Sequence, residues 1–219
     1  MKQVRPFIFI FAAIIFLGMW QIASLVLEHH PIKNYPPKGE HIVAFGDSLI
    51  VGIGAGSREK GFIPMLAKRL NITIINKGVS GDTTYDALFR LSKDVLDEKP
   101  DIVILLLGGN DILKQVPKEE TFVNLHSIIT RIQSRGAIVL LLGIRGGLLT
   151  DQYDDDFATL AKATGSLYVP NVLLGLIGNS ALMSDEVHPN DKGYERIVDR
   201  VAPVLEGLIV AVPKTSATE

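Results

Sequence analysis

The sequence predicts an α/β protein, with a five-stranded parallel sheet at the centre of a three-layer α/β/α sandwich. Short apolar runs of strand-forming residues alternate with segments in which apolar residues recur at helical spacing. These runs are apolar on both faces, which is typical of parallel strands that helices cover from both sides. Right-handed crossovers between successive strands then place the helices in two outer layers.

Strands and helices are predicted to alternate along the chain. The strands are predicted at residues 42–45, 72–75, 102–107, 138–142 and, from a weaker run, 167–169. The helices are predicted at residues 62–70, 85–96, 118–135, 151–163 and 191–210. Thr83 or Thr84 can cap the second helix through a side-chain oxygen. Asn190 or Asp191 can cap the last helix in the same way.

The composition excludes several classes of protein. Of 219 residues, 47% are hydrophobic and 21% are charged, which is typical of a globular domain and unlike a disordered chain. The net charge of −2 gives no electrostatic basis for binding nucleic acid. The chain has no cysteine, which excludes disulfides, a thiol nucleophile and a cysteine-ligated zinc site. We expect neither a metal nor a cofactor.

An apolar segment precedes the predicted domain. Residues 7–27 contain no charged side chain, and a helix of that length spans roughly 30 Å, the thickness of a bilayer's hydrocarbon core. Because Lys2 and Arg5 come before it, we expect residues 1–27 to be an inner-membrane signal anchor, with the following domain facing the periplasm or exterior. The alternative is a cleaved signal peptide and release into the periplasm, although Ile22, Ala23 and Ser24 make a poor cleavage site.

The rest of the chain divides into three parts. Residues 28–40 are proline-rich and charged, which indicates a linker. Residues 41–212 contain all the predicted strands and helices and form one domain. Residues 213–219 are predicted to be a frayed tail.

Small polar residues follow the first three predicted strands. Gly46 breaks the first strand and Ser48 follows it, while Gly81 comes after the second strand and Asn110 after the third. In an open parallel sheet ligands bind beyond the carboxyl ends of the strands, so we expect these turns to lie at one edge. A serine on a glycine turn at that edge is well placed to be an exposed nucleophile, although Gly-Asp-Ser is also ordinary turn chemistry.

His188 is the histidine best placed to act as a general base. It lies in a loop before the last helix, three residues after Asp185, and Pro189 favours an extended conformation for it. In such a pair the carboxylate can accept the Nδ1 proton, which leaves Nε2 to face a serine. A helix entry with an incidental histidine explains the same residues equally well.

Three hydrogen-bond donors are expected around a carbonyl that Ser48 would attack. They are the backbone N–H groups of Ser48 and Gly81 and the side-chain amide of Asn110. Glycine at position 81 allows the backbone to approach a substrate closely. The alternative for Asn110 is a turn residue that caps its own loop.

Four blocks of sequence together resemble the GDSL, or SGNH, hydrolases. In chain order they are Gly46-Asp47-Ser48-Leu49, Ser80-Gly81-Asp82-Thr83, Gly108-Gly109-Asn110-Asp111 and Asp185-x-x-His188-Pro189, and the likeness extends over residues 41–210. Within the family they are similar to the bacterial periplasmic thioesterase/lysophospholipase and arylesterase subgroup. The resemblance implies a flavodoxin-like fold, with Ser48 as nucleophile, His188 as base and Asp185 as its partner. It also implies an oxyanion hole formed by Ser48, Gly81 and Asn110.

Three functions follow as hypotheses. The resemblance implies a serine ester hydrolase that acts on a small acyl ester, thioester or lysophospholipid. The same residues could instead remove acetyl groups from a cell-envelope carbohydrate, which suits a domain anchored at the envelope. A non-catalytic binding module is the third, because Gly52, Gly54 and Gly56 resemble a nucleotide-binding loop, but their spacing differs from Gly-x-Gly-x-x-Gly.

Overall fold

The sheet has five parallel strands, as the sequence predicts. The computed structural model of the chain describes residues 31–145 and 152–213. The strands pair in the order β2-β1-β3-β4-β5. They are β1 (Ile42–Gly46), β2 (Ile74–Gly78), β3 (Ile102–Leu106), β4 (Ile138–Leu142) and β5 (Leu167–Val169).

Helices follow the strands on both faces of the sheet. Those in the described residues are α1 (Ser48–Val51), α2 (Phe62–Leu70), α3 (Thr84–Asp94), α4 (Gly109–Leu113), α5 (Lys118–Gln133), α6 (Gln152–Thr164) and α7 (Asp191–Val210). Helices α2 and α7 pack together, whereas α3 packs on α5 and α5 on α6. The chain moves in one direction from β1 to β2 and in the other from β2 through β3 and β4 to β5, so right-handed crossovers put α2 on one face and α3, α5 and α6 on the other. Helix α7 follows the last strand and shares the face of α2, on which it packs.

The core lies around the three central strands. Every residue of β1, β3 and β4 is buried, and all of them except Gly46 are apolar. The helices contribute large fully buried side chains such as Phe62, Phe157 and Tyr194. Burial of one such aliphatic or aromatic side chain contributes about 1.5–3 kcal/mol, so these strands form a rigid base for the loops at their carboxyl ends.

Strand β2 differs from the prediction, because it begins at Ile74 and extends to Gly78. Residues 76–78 therefore belong to the strand and not to the turn after it. As an edge strand that pairs only with β1, β2 is half-buried and accommodates polar residues. Asn76 donates to the Ile50 carbonyl at 2.6 Å, and Lys77 lies 2.6 Å from Glu98.

The predicted helix boundaries are close to those observed. Thr83 caps α3 in a capping box with Asp86, and Asn190 caps α7 by accepting from two backbone N–H groups. Helix α3 ends at Asp94, and a separate 3₁₀ turn (Leu96–Glu98) completes the predicted helix. The sequence analysis did not predict α1 and α4, because helices of four and five residues are too short to show periodicity.

The predicted signal anchor, residues 1–27, lies outside the described residues. So do residues 28–30 of the linker and 214–219 of the tail. Among residues 31–145 and 152–213, no helix has both the length and the apolar character needed to cross a membrane.

Candidate active site

The loops after β1, β2 and β3 lie at one edge of the sheet. In the strand register Gly46 is aligned with Gly78 of β2 on one side and with Leu106 of β3 on the other. The three strands therefore end at the same level. Ser48 is the first residue of α1, directly beyond the end of β1.

Ser48, His188 and Asp185 form a continuous chain of hydrogen bonds. The Ser48 Oγ lies 3.0 Å from His188 Nε2, and His188 Nδ1 lies 2.7 Å from Asp185 Oδ2. Two groups 140 positions apart in the sequence are thus in direct contact. This arrangement is the one that activates a serine for attack on an acyl carbon.

Asp185 is held in the ionised state. The hydrogen bond from His188, followed by those from the backbone N–H groups of Val187 and His188, lowers the pKa of Asp185 to about 2. An ionised carboxylate can only accept, so it binds the N–H form of His188 Nδ1. The lone pair of Nε2 then faces Ser48, which is the tautomer that a general base requires.

The three expected donors belong to the segments that follow β1, β2 and β3. The Ser48 N–H is at the first position of α1, where a helix provides no intrahelical acceptor. Gly81 has φ +84°, and a Cβ built on it would meet no atom within 4 Å, so the space in front of this residue is open. Asn110 donates to the Asp82 carbonyl at 2.9 Å and so bridges two loops, instead of capping its own.

The part of the sequence that contains these site residues matches a known protein family. A model of the GDSL-like lipase/acylhydrolase family matches residues 44–196, which is more than half of the chain and contains Ser48, Gly81, Asn110, Asp185 and His188. The chain belongs to this family. The resemblance seen in the sequence blocks is therefore confirmed.

Several curated relatives of this GDSL-family chain are named as esterases. It is 30% identical to Esterase TesA of Pseudomonas aeruginosa over 77% of this chain and 89% of that protein. It is 31% identical to an arylesterase of Vibrio mimicus over 85% of this chain and 98% of the relative. An acetylxylan esterase of Geobacillus stearothermophilus is 28% identical, over 71% and 89% respectively.

Solved structures of family members agree with the fold. A crystal structure of TesA superimposes with a TM-score of 0.70 at 31% identity, covering 76% of this chain and 98% of that one. The esterase EstA from Pseudoalteromonas, in a structure inhibited by monoethylphosphonate, also gives 0.70, at 26% identity over 77% and 98% of the chains.

Asp111 was not singled out from the sequence of this GDSL-family chain. It is fully buried and accepts from both the backbone N–H and the hydroxyl of Thr84, at 2.9 and 2.5 Å. Because it follows Asn110 directly, these bonds hold the Asn110 loop against the start of α3. Its place next to Asn110 at the end of a buried strand was the one available signal.

A second group of contacts holds the His188 loop next to the Ser48 helix. Tyr194 donates to the Ile53 carbonyl at 2.6 Å, and the Gly56 N–H donates to Asp191 at 2.7 Å. A Cβ at Gly54 would lie 2.9 Å from the Cβ of His188. The glycine spacing that resembles a nucleotide-binding loop thus has a different explanation, which is close packing against the loop that contains His188.

Clusters of possible metal ligands are absent from the described part of the family domain. Residues 31–145 and 152–213 contain no group of three or more histidine, aspartate or glutamate side chains that could hold a metal ion. The chemistry proposed below uses only side-chain and backbone groups.

Asp47 is a buried carboxyl directly before Ser48. It is 3% exposed, and its Oδ1 accepts from the Leu49 N–H at 3.0 Å, which caps α1. Burial raises the pKa of Asp47 to about 6, although the Leu49 hydrogen bond and the nearby His188 act in the opposite direction. The sequence analysis predicts a turn-forming role for this residue, and its contacts agree with that role.

Asp47→Asn is expected to stabilise the domain more at high pH than at low pH. Because the folded-state pKa is raised, the protonated carboxyl stabilises the fold fully below about pH 4, and this contribution is lost as the pH rises through about 6. Asparagine stays neutral and keeps the capping oxygen, so its advantage over aspartate should increase by about 2–3 kcal/mol between about pH 4 and pH 8. Urea unfolding of both proteins measures this, and a pH-independent difference would contradict it.

Proposed function

We propose that this protein is a serine ester hydrolase that cleaves acyl esters through an acyl-enzyme on Ser48. The observation that supports this most directly is the unbroken hydrogen-bond chain from Ser48 through His188 to Asp185. Esterase and arylesterase relatives of similar length support the same reaction class.

The reaction begins with attack by Ser48 on the acyl carbon. As the Oγ–C bond forms, His188 Nε2 takes the Ser48 proton, and Asp185 stabilises the imidazolium through Nδ1. Collapse of the tetrahedral intermediate breaks the ester bond, and the proton on Nε2 passes to the departing alcohol. Water then attacks the acyl-enzyme with His188 again as base, which releases the acid and restores the serine.

The negative oxygen of the intermediate is stabilised by the N–H groups of Ser48 and Gly81 and by the Asn110 amide. The Asn110 Nδ2 has two hydrogens, and the Asp82 carbonyl uses one of them. The second can therefore reach the oxyanion while the first holds the side chain in place.

Asn110→Ala is expected to lower kcat by about 10²- to 10³-fold, because a preorganised oxyanion donor acts mainly in the transition state. KM should change much less. Steady-state hydrolysis of a p-nitrophenyl ester gives both constants. Asn34→Ala is the matched control, since it also removes a half-buried side-chain amide that donates to the backbone carbonyl of another segment, that of Gln133 at 2.8 Å. A variant that lost only substrate affinity would contradict the role of Asn110.

Covalent labelling tests the nucleophile. An alkyl p-nitrophenyl phosphonate should add once per chain, and peptide mass mapping should find the adduct on Ser48. Ser48→Ala should remain unlabelled, whereas Ser134→Ala, which changes an exposed serine at the end of α5, should label like the wild type. Labelling of Ser48→Ala at the wild-type rate would refute the assignment.

A carbohydrate O-deacetylase is the second candidate. The relative named acetylxylan esterase favours it, since the same residues serve either substrate. Release of acetate from an acetylated oligosaccharide, compared with a p-nitrophenyl ester series of increasing acyl length, separates the two. Activity that persists on medium-length acyl esters favours the esterase, and activity confined to acetate favours the deacetylase.

We further propose that residues 1–27 anchor the domain to the inner membrane, with the catalytic domain facing the periplasm or exterior. The uncharged run 7–27 after Lys2 and Arg5 supports this. Fractionation of cells that make the full-length protein tests it. A full-length species in the membrane fraction is expected, and recovery only as a shortened soluble protein would indicate a cleaved signal peptide.

A further inference from the structure

Arg90 is a half-buried cation on α3 whose contacts lead to the candidate active site. Its side chain is 15% exposed. The guanidinium Nε lies 2.5 Å from Asp82 Oδ2, and Nη1 lies 2.9 Å from Asp94 Oδ2. The remaining contacts are to backbone, with Nη1 donating to the Lys77 carbonyl at 2.9 Å and Nη2 to the Gly46 carbonyl at 3.0 Å.

Two of these partners, Gly46 and Asp82, lie next to groups that act in the proposed mechanism. Gly46 ends β1, two residues before Ser48, and Asp82 directly follows Gly81. One planar guanidinium therefore contacts both the segment that holds the nucleophile and the segment that holds an oxyanion donor. Ser48 and Gly81 belong to loops after different strands, so their separation depends on contacts of this kind.

The position of Arg90 is itself well determined. Its guanidinium carbon lies 4.3 Å from the ring centroid of Phe45, a fully buried residue of β1. The carboxylates of Asp82 and Asp94 bind it from the loop and from its own helix. With its plane fixed by Phe45 and by these ion pairs, the group has few other orientations available.

Other contacts in this region involve the backbone or an exposed side chain. The Val79 N–H donates to the Gly46 carbonyl at 2.9 Å, and the Val79 carbonyl accepts from the Asp82 N–H at 3.3 Å, so the backbone of the turn also links these two segments. Lys114 donates to the Gly81 carbonyl at 3.0 Å, and its side chain is exposed. Arg90 adds a side-chain link, because one guanidinium binds both the end of β1 and the carboxylate of the residue after Gly81.

We propose that Arg90 is a positioning residue, which sets the distance between the Ser48 hydroxyl and the Gly81 N–H by binding Gly46 and Asp82 from one guanidinium. This inference rests on the proposed function, since it assumes that Ser48 and Gly81 act on the same carbonyl group. Lysine cannot replace arginine here, because its single ammonium nitrogen cannot bind Asp82 and the Gly46 carbonyl from separate positions, as the planar guanidinium does.

Arg90→Lys is the principal test, because it keeps the positive charge beside Asp82 and so avoids leaving a buried carboxylate without a partner. We expect kcat for a p-nitrophenyl ester to fall by about 10- to 100-fold, as a small displacement of one oxyanion donor would cause. KM should stay within about threefold, because ground-state binding does not use the oxyanion hole. The rate of phosphonate labelling should fall in parallel with kcat, since the adduct is tetrahedral.

Arg90→Ala adds a readout that a purely structural role would not give. Guanidinium chloride, far below the concentrations that unfold the domain, should restore part of the lost kcat by binding in the vacated position beside Asp82. Urea should give no such recovery. Arg131→Lys is the matched control, since Arg131 lies on the adjacent helix α5 and donates only to the exposed Ser92 hydroxyl. Its kcat should equal that of the wild type.

Several results would overturn the inference. One is a wild-type kcat in folded Arg90→Lys. Another is a fall in activity that matches the loss of folded protein in urea unfolding and is not rescued by guanidinium. Failure of the proposed function looks different, because then phosphonate would not label Ser48 even in the wild type. If Ser48 is labelled normally and Arg90→Lys is fully active, only the role of Arg90 is refuted.

Discussion

Replacing either Ser48 or His188 with alanine is expected to lower kcat by about 10⁴- to 10⁶-fold, and replacing both should cost no more than replacing one. The two groups are joined by one hydrogen bond of 3.0 Å and act in the same step. Without His188 the hydroxyl has no proton acceptor, and without Ser48 the base has nothing to activate. The residual activity reflects the oxyanion donors alone, which neither change removes.

Steady-state hydrolysis of a p-nitrophenyl ester by the two single variants and the double variant measures this. Ser134→Ala and His126→Ala are controls of the same residue types, since both side chains are exposed on α5 or at its end. They should keep wild-type kcat. Effects of Ser48→Ala and His188→Ala that multiply in the double variant would indicate that the two groups act independently, which contradicts the mechanism.

Gly46→Ala is expected to lower the free energy of unfolding by about 3 kcal/mol or more, because the added methyl group has no space. A Cβ at this position would overlap the Leu106 carbonyl oxygen of β3 and lie 2.7 Å from the Ile50 Cγ1. The backbone of a central strand cannot move away without disturbing its neighbours on both sides. Any movement would also displace the turn that holds Ser48.

Urea unfolding of Gly46→Ala, with its midpoint and slope compared with those of the wild type, tests this expectation. Gly207→Ala is the matched control. Gly207 lies within α7, and a Cβ built on it meets no atom within 4 Å. The control should stabilise the domain by up to about 1 kcal/mol, since alanine is the better helix former. A loss of stability in both variants would show that packing at Gly46 is not the cause.

Local patterns in the sequence were sufficient for the sheet and for the contact between Ser48, His188 and Asp185. The central strands are continuous apolar runs, and short runs that are apolar on both faces are typical of buried parallel strands. Gly46 marks the end of the first strand, Gly81 lies in the turn after the second, and Pro189 favours an extended conformation for His188. Once the sheet is parallel, its topology brings these turns to one edge.

The contacts that support the site had no local signal. Arg90 lies between Phe89 and Leu91 on an amphipathic helix, where an arginine is ordinarily a solvated residue. Its partner Gly46 is 44 positions away, and pairing of that kind depends on the tertiary structure alone. The strand β2 was placed too early for a related reason, since its polar residues obtain their partners from α1 and from the turn at Glu98.

The contact between Tyr194 and Ile53 has a consequence for biosynthesis. The nucleophile is made before the five-stranded sheet is complete, whereas its base and the helix that holds the base in place are made after it. A chain still on the ribosome that exposes only β1 to β5 has a complete sheet edge and no proton acceptor for its serine. The serine therefore gains its proton acceptor only after α7 has emerged and docked, which follows the completion of the sheet.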